Sequence, residues 1–281
     1  MKTLRARQAV DVGATLACGL MVLLALAPLV SVLWLVISKG VAGLSPGFFV
    51  HRAAPPGEAG GGVGPAILGT FTMVAMACLV SLPLGIGAGA FLAERGQSLM
   101  GRAVRFTAEV LAGVPSIVVG VVAYAVLVVP LHRFSGLAGA FALSLVMIPP
   151  LARASEEFIR LVPGSLREAS LALGVPAWRS SLKVVLRTAL PGIVTASLLA
   201  VARAAGETAP LLFTALNNQY YNLRPDQPTA SLTVQIYNFA ISPYESWHAQ
   251  AWTAALVLLL LVGILNLVAR LTSRDRLRGA R

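Results

Sequence analysis

Two charged residues stand four apart inside an otherwise apolar run, Val201-Ala202-Arg203-Ala204-Ala205-Gly206-Glu207-Thr208-Ala209-Pro210. On a helix that spacing puts Arg203 and Glu207 on one face. A guanidinium suits an oxyanion because its planar fork donates two parallel hydrogen bonds to two oxygens. A neighbouring carboxylate competes for the same donors and keeps the grip weak, as a path must if its cargo is to leave. The same pair also reads as an intramembrane salt bridge that orients helices. Counted from Leu190, Arg203 is expected about 20 Å along its helix at 1.5 Å per residue. At that depth a charge faces a bundle interior or a watery cavity rather than lipid. His51, His132 and His248 fall at unrelated spacings, and no metal or nucleophile constellation is visible. Cys18 and Cys78 sit inside apolar runs, where small packing residues are expected. None of the three lysines, Lys2, Lys39 and Lys183, lies in a G-x-x-x-x-G-K-[ST] phosphate loop, so the chain does not bind ATP in that manner.

The elements that must carry the pair are membrane spans. The chain is 57% hydrophobic and 12% charged, about half the charged fraction of a soluble domain. Several apolar stretches exceed the roughly 18 residues needed to cross a hydrocarbon core. Six transmembrane helices are expected, at about 12–37, 66–92, 107–130, 136–151, 190–213 and 250–271, making an all-α integral membrane protein with its polytopic domain over 12–272. The first stretch is too long for a signal-peptide core and reads as a retained span. With the N-terminus in the cytoplasm, only Lys39, Arg52, Arg133 and Arg224 of the 22 basic residues fall outside and Arg203 lies within a span. The others flank the cytoplasmic ends. That asymmetry explains the net charge of +11 without a nucleic-acid partner. Both the N-terminal tail, 1–11, and the basic tail, 273–281, are thus expected in the cytoplasm. Outside lie a Gly- and Pro-rich connection, 39–65, expected to be irregular and mobile, and a long polar loop, 214–249, with a short helix near Ser231–Ala240.

The cytoplasmic loop, 152–189, carries the densest local signals. Pro163-Gly164 breaks the preceding helix, and Ser165 followed by Glu168 has the spacing of a capping box. The helix this starts is expected to run through Leu173 and end at Gly174, where a left-handed residue is wanted. Val175-Pro176 then opens a second helix. That helix is amphipathic, with Trp178, Leu182, Val185 and Leu186 on one side and Arg179, Lys183 and Arg187 on another. Such a projection can insert into a groove on another protein or merely anchor the chain at the membrane surface. These patterns alone support the two equally.

Glu168-Ala169-Ser170-x-x-x-Gly174 resembles the EAA loop of ABC importer permeases, whose pattern is E-A-A, three residues, G, nine residues, I-x-L-P. Downstream this chain reads Val184-Val185-Leu186-Arg187, with arginine in place of the proline and Pro191 four residues later. Arg203 through Ala215, Gly61-Gly62-Val63-Gly64-Pro65-Ala66-Ile67, Gly113-Val114-Pro115-Ser116-Ile117-Val118 and Gln227-Pro228-Thr229-Ala230-Ser231-Leu232 resemble the PstA-type permeases of phosphate-specific ABC importers. Val119 departs from the aromatic of many relatives. The resemblance implies a type I ABC importer permease fold in a bacterial plasma membrane, embedded in lipid. It implies a PstC-type permease as heterodimer partner, two copies of an ABC ATPase and an external phosphate-binding protein. Glu168, Ala169, Ser170 and Gly174 would dock the ATPase, which would bring ATP and Mg. Arg203 and Glu207 would lie on the phosphate path, with no cofactor, metal or covalent catalysis on this chain. A permease for molybdate, tungstate or phosphonate is the nearest alternative. A proton-coupled secondary transporter using Glu207 is more remote, because it leaves the 152–189 loop without a role.

Overall fold

The computed structural model describes residues 2–58 and 60–278, and among them every regular element is a helix. In chain order these are α1 (Lys2–Gly40), α2 (Gly64–Arg95), α3 (Leu99–Gly113), α4 (Ser116–Leu131), α5 (Gly136–Arg160), α6 (Gly164–Ala172), α7 (Ala177–Ala205), α8 (Ala209–Leu212), α9 (Leu232–Ala240) and α10 (Glu245–Arg278). Helices α4 and α7 each contain one π turn, Tyr124–Val128 and Ser181–Val185. Five helices are long and apolar enough to cross a membrane singly: α1, α2, α5, α7 and α10. Helices α3 and α4 satisfy the same test only together, and they meet at an angle of 104°.

The packing of α2 on α5 decides how that bent pair counts. Met73 lies beside Gly139, Gly85 beside Leu151, and Gly89 beside Ser155. The two helices therefore run parallel, and the chain between them must return from the Arg95 end to the Gly136 end. It does so through α3 and α4. Arg105 on α3 meets Glu156 near the end of α5, whereas Ser135, just past α4, donates its backbone N–H to Thr214 O beyond the opposite end of α7. The pair is one broken span, and the chain has six crossings. Lipid offers no hydrophobic reward for helix association, so close approach must supply the contacts. A Cβ on Gly89 would fall 2.5 Å from Ser155 Cβ and 2.6 Å from Ala152 O, so the α2–α5 seam depends on that glycine.

Around this seam Met73, Ala77, Leu143, Met147, Leu151, Ala200 and Ala204 form the main buried cluster, joining α2, α5 and α7. Helix α10 packs on α7, on α9 and on the end of α1, where Gly40 touches Trp252 and Leu256. Most of the rest of α1 lies open, with Leu16, Leu20, Leu23 and Trp34 exposed.

Several helices outrun their expected bounds. The fourth span continues through Pro149 and Pro150 to Arg160, because prolines inside a helical bundle are tolerated where neighbours re-satisfy the freed backbone groups. The fifth begins at Ala177 and ends at Ala205, not near 213, since Gly206 and Pro210 break it. The loop expected at 152–189 is thereby reduced to a hairpin around 161–176. The Gly- and Pro-rich external connection is not irregular throughout. It contains 3₁₀ turns at Val41–Gly43 and Pro46–Phe49, buries Phe48 and Val63, and is tied by Trp247 Nε1 donating to Ala54 O at 3.0 Å. Of the basic tail, residues 279–281 lie outside the described residues, as do the side chains of 272–278 and those of Lys2 and Arg5.

Candidate functional site

Arg203 occupies the last turn of α7, not its middle. The helix starts thirteen residues before Leu190, so the charge sits some 26 residues along it, or about 39 Å. A cation at a helix C-terminus is favoured by the orphan carbonyls there. Glu207 lies past the helix end, in the break that the Gly206 and Glu207 N–H groups close by donating to Arg203 O at 3.0 Å and Ala204 O at 3.2 Å. The pair nevertheless meets, Arg203 Nε to Glu207 Oε1 at 3.6 Å, too long for a strong hydrogen bond. Glu207 is mostly covered, with 15% of its side chain exposed, while Arg203 is 68% exposed. Leu199 and Gly206 share that open face. The break is held from outside by α9. Ser231 caps α9 by accepting from Val234 N–H, Leu232 N–H donates to Thr70 Oγ1 at 2.9 Å, and Thr233 Oγ1 donates to Glu207 O at 2.9 Å.

The second site is the hairpin of α6 and the start of α7. The expected capping box does not form: Pro163 occupies the N-cap position without a side-chain bond, and Ser165 lies inside the helix. Proline's extended backbone, with Leu166 N–H donating to Pro163 O, starts the helix two residues before the serine could cap it. Glycine has the expected role at the other end. Gly174 adopts φ +78, its N–H donates to Leu171 O at 2.9 Å, and Val175 N–H donates to Ser170 O at 3.2 Å. Those two bonds are the paired closure of a left-handed helix terminus. Pro176 then stands at the N-cap of α7 rather than within its first turn. The hydroxyls of Ser170 and Ser180 are both buried and bond across the hairpin. Glu168 and Ala169 are exposed, as are Leu173 at 84%, Trp178 at 61% and Leu182 at 56%. Val185, expected on the same apolar stripe, turns inward with Ile159, Ala189 and Ile193. The hairpin is thus a turn with apolar side chains standing off it and with Arg179, Lys183 and Arg187 exposed beside them, the Arg179 guanidinium 5.2 Å from the centre of the Trp178 ring.

A third cluster was not singled out in the sequence. Glu156 receives Arg105 at 2.5 Å and Arg160 at 2.8 Å on the same carboxylate oxygen, with 10% of its side chain exposed. The Glu156–Arg160 spacing of four is a readable helix pair, but Arg105 lies 51 residues away and leaves no local trace. Among the described residues, no group of three or more His, Cys, Asp or Glu is placed to hold a metal ion.

Comparisons with known proteins cover both sites. Residues 85–278 match the model of the family described as "Binding-protein-dependent transport system inner membrane component". The phosphate transport system permease protein PstA of Yersinia pestis is 43% identical over 243 residues, covering 86% of this chain and 82% of that protein. The probable phosphate transport system permease protein PstA of Methanocaldococcus jannaschii is 36% identical over 261 residues, covering 92% of each. Among solved structures, a chain of the MetNI methionine ABC transporter in an inward-facing conformation superposes with a TM-score of 0.57 at 21% identity, covering 76% of this chain and 93% of that one.

Proposed function

The chain belongs to the family of binding-protein-dependent transport system inner membrane components, and from that premise we infer that it is the permease subunit of an ATP-driven phosphate importer. It is a multi-pass membrane protein and not an enzyme; hydrolysis of ATP with its Mg belongs to a separate ATPase. The cargo follows from relatives 36–43% identical over most of their length that are named for phosphate transport. The observation that carries the mechanism is the open face of Arg203. At the end of a span, this chain covers only a third of the Arg203 side chain, and apolar Leu199 stands exposed on the same face, the pattern of a surface that another subunit covers. The face therefore meets a second permease, of PstC type, and the phosphate path runs between the two. Arg203 offers its fork to the anion, and Glu207, held 3.6 Å away, competes for it and keeps the contact short-lived.

At the other end, Glu168, Ala169, Ser170 and Gly174 form the docking turn for the ATPase. The exposed Leu173, Trp178 and Leu182 are the side chains a groove on that partner would cover. One ATPase copy on this hairpin and one on the partner permease give the complex two, and an external binding protein delivers phosphate above α9. The reading is tested by phosphate uptake into vesicles holding the assembled transporter. Arg203→Gln is expected to lower uptake at least about tenfold, the size of one lost charge-assisted contact, with the ATPase still co-purifying. Uptake at the parental rate would make Arg203 a structural ion pair and remove it from the path.

A further inference from the structure

A series of ion pairs, joined at one point through the backbone of α2, runs from the docking hairpin to the bent span. Arg167 on α6 lies 3.6 Å from Glu94 at the end of α2. Two residues earlier, Leu92 O accepts from Arg160 Nη2 at 3.4 Å. Arg160 and Arg105 then converge on Glu156, and a second pair, Arg153 to Glu109 at 2.6 Å, repeats the α5–α3 link one turn along. Gly96 makes room for the cluster, since a Cβ there would fall 2.7 Å from Arg105 Nη2 and 3.1 Å from Arg160 Nη2. Beyond the 104° bend, α4 lies against α8: a Cβ on Gly120 would fall 2.6 Å from Pro210 Cα. Pro210 sits three residues past Glu207, in the segment that follows the break. The carboxylate of Glu156 is the one group in this series that is both covered and shared by two cations on different helices.

We propose that Glu156 is a positioning residue of the transport cycle, tying the cytoplasmic hairpin to α3–α4 so that displacement of the hairpin reaches the break that holds Glu207. The proposal rests on the hairpin being the ATPase docking turn. A covered carboxylate with two guanidinium partners is costly to leave half-paired, so α3 and α5 keep this contact and move as one body about the bend at Val114-Pro115. Coupling of this kind needs a contiguous series of contacts and an element with two arrangements; the ion pairs supply the first, and the proposal assigns the second to the bend. Glu156 touches no cargo, and its effect is exerted through Arg105.

The test is the number of phosphate ions moved per ATP hydrolysed by the assembled transporter in proteoliposomes. Glu156→Gln keeps the shape and removes the charge. The expected result is retained ATPase, hydrolysis near the parental rate, and a transport-to-hydrolysis ratio lowered at least about fivefold. Arg105→Gln is expected to lower the ratio similarly, and Arg105→Lys to restore most of it. An unchanged ratio in Glu156→Gln overturns the proposal. Should that variant fail to reach the membrane, Arg105→Gln decides, since its side chain is already 30% exposed and its loss is more easily borne; an unchanged ratio there overturns the proposal equally. Failure of the docking reading has a different signature, namely that ATPase binding is indifferent to the conformation at Gly174.

Discussion

A carboxylate that shares a guanidinium sets how long an anion stays on it. Glu207 can compete for Arg203 only while the break keeps its carboxylate in reach, and Thr233, donating to the Glu207 carbonyl, is what fixes the break. Glu207→Gln removes the competitor and leaves the amide in the same place. The expected outcome is a tighter, slower path, with KM for phosphate and kcat both lowered about two- to fivefold, the range of a weak, partly exposed ion pair. Initial rates of uptake across a phosphate series check it, and a raised KM with unchanged kcat would assign Glu207 to delivery instead. The pair itself was legible because charge is rare in apolar sequence and a spacing of four is local. Its position in the last turn was not, since that depended on the helix ending at Ala205 rather than near 213. Glu156 was hidden for the complementary reason: its defining partner, Arg105, belongs to another helix.

The elements were easier to count than to bound. Apolar length gave α1, α2, α5, α7 and α10, but membrane helices run past their hydrophobic limits wherever the flanking residues are good helix formers, and α7 gains two turns and a π turn in that way. The fourth span, expected over 136–151 with Pro149 and Pro150 at its end, continues past both, and Pro149 is fully buried inside α5. The capping box at Ser165 and Glu168 failed because Pro163 starts the helix first, whereas the stop at Gly174 was readable from the residue type alone. That stop makes a sharp prediction. No atom lies within 4 Å of a Cβ built on Gly174, so a larger residue meets open space and only the φ of +78 resists it. Gly174→Val should cost about 1–2 kcal/mol in the turn, weakening ATPase co-purification roughly five- to thirtyfold, while Gly174→Asn, which tolerates the left-handed region, should lose less. Equal retention of the ATPase by both variants and the parent would remove the docking role from this hairpin.

At the scale of the whole molecule, the crossings have a parity that local patterns could not establish. Five helices qualify alone, and an odd number would put the two ends of the chain on opposite sides. The parallel packing of α2 on α5 requires a return through α3 and α4, which makes six, and we propose that both ends therefore lie on one side. The basic residues then choose which side: Arg95, Arg102, Arg105, Arg160, Arg167 and Arg179 cluster at the end of the bundle that holds the hairpin, while Arg52, Arg133 and Arg224 lie at the other. A chain with Cys18 and Cys78 replaced, carrying a single cysteine at Arg7, Arg179 or Arg224, reports the arrangement through a membrane-impermeant maleimide applied to intact cells. Arg224→Cys is expected to label directly, and Arg7→Cys and Arg179→Cys only after the membrane is opened. Direct labelling of Arg7→Cys together with Arg224→Cys would mean that α3–α4 dips in and returns without crossing. The hairpin at the start of α7 would still lie inside and the Arg203 break outside, but α2 and α5 would then cross in opposite senses, against the parallel packing on which the parity rests.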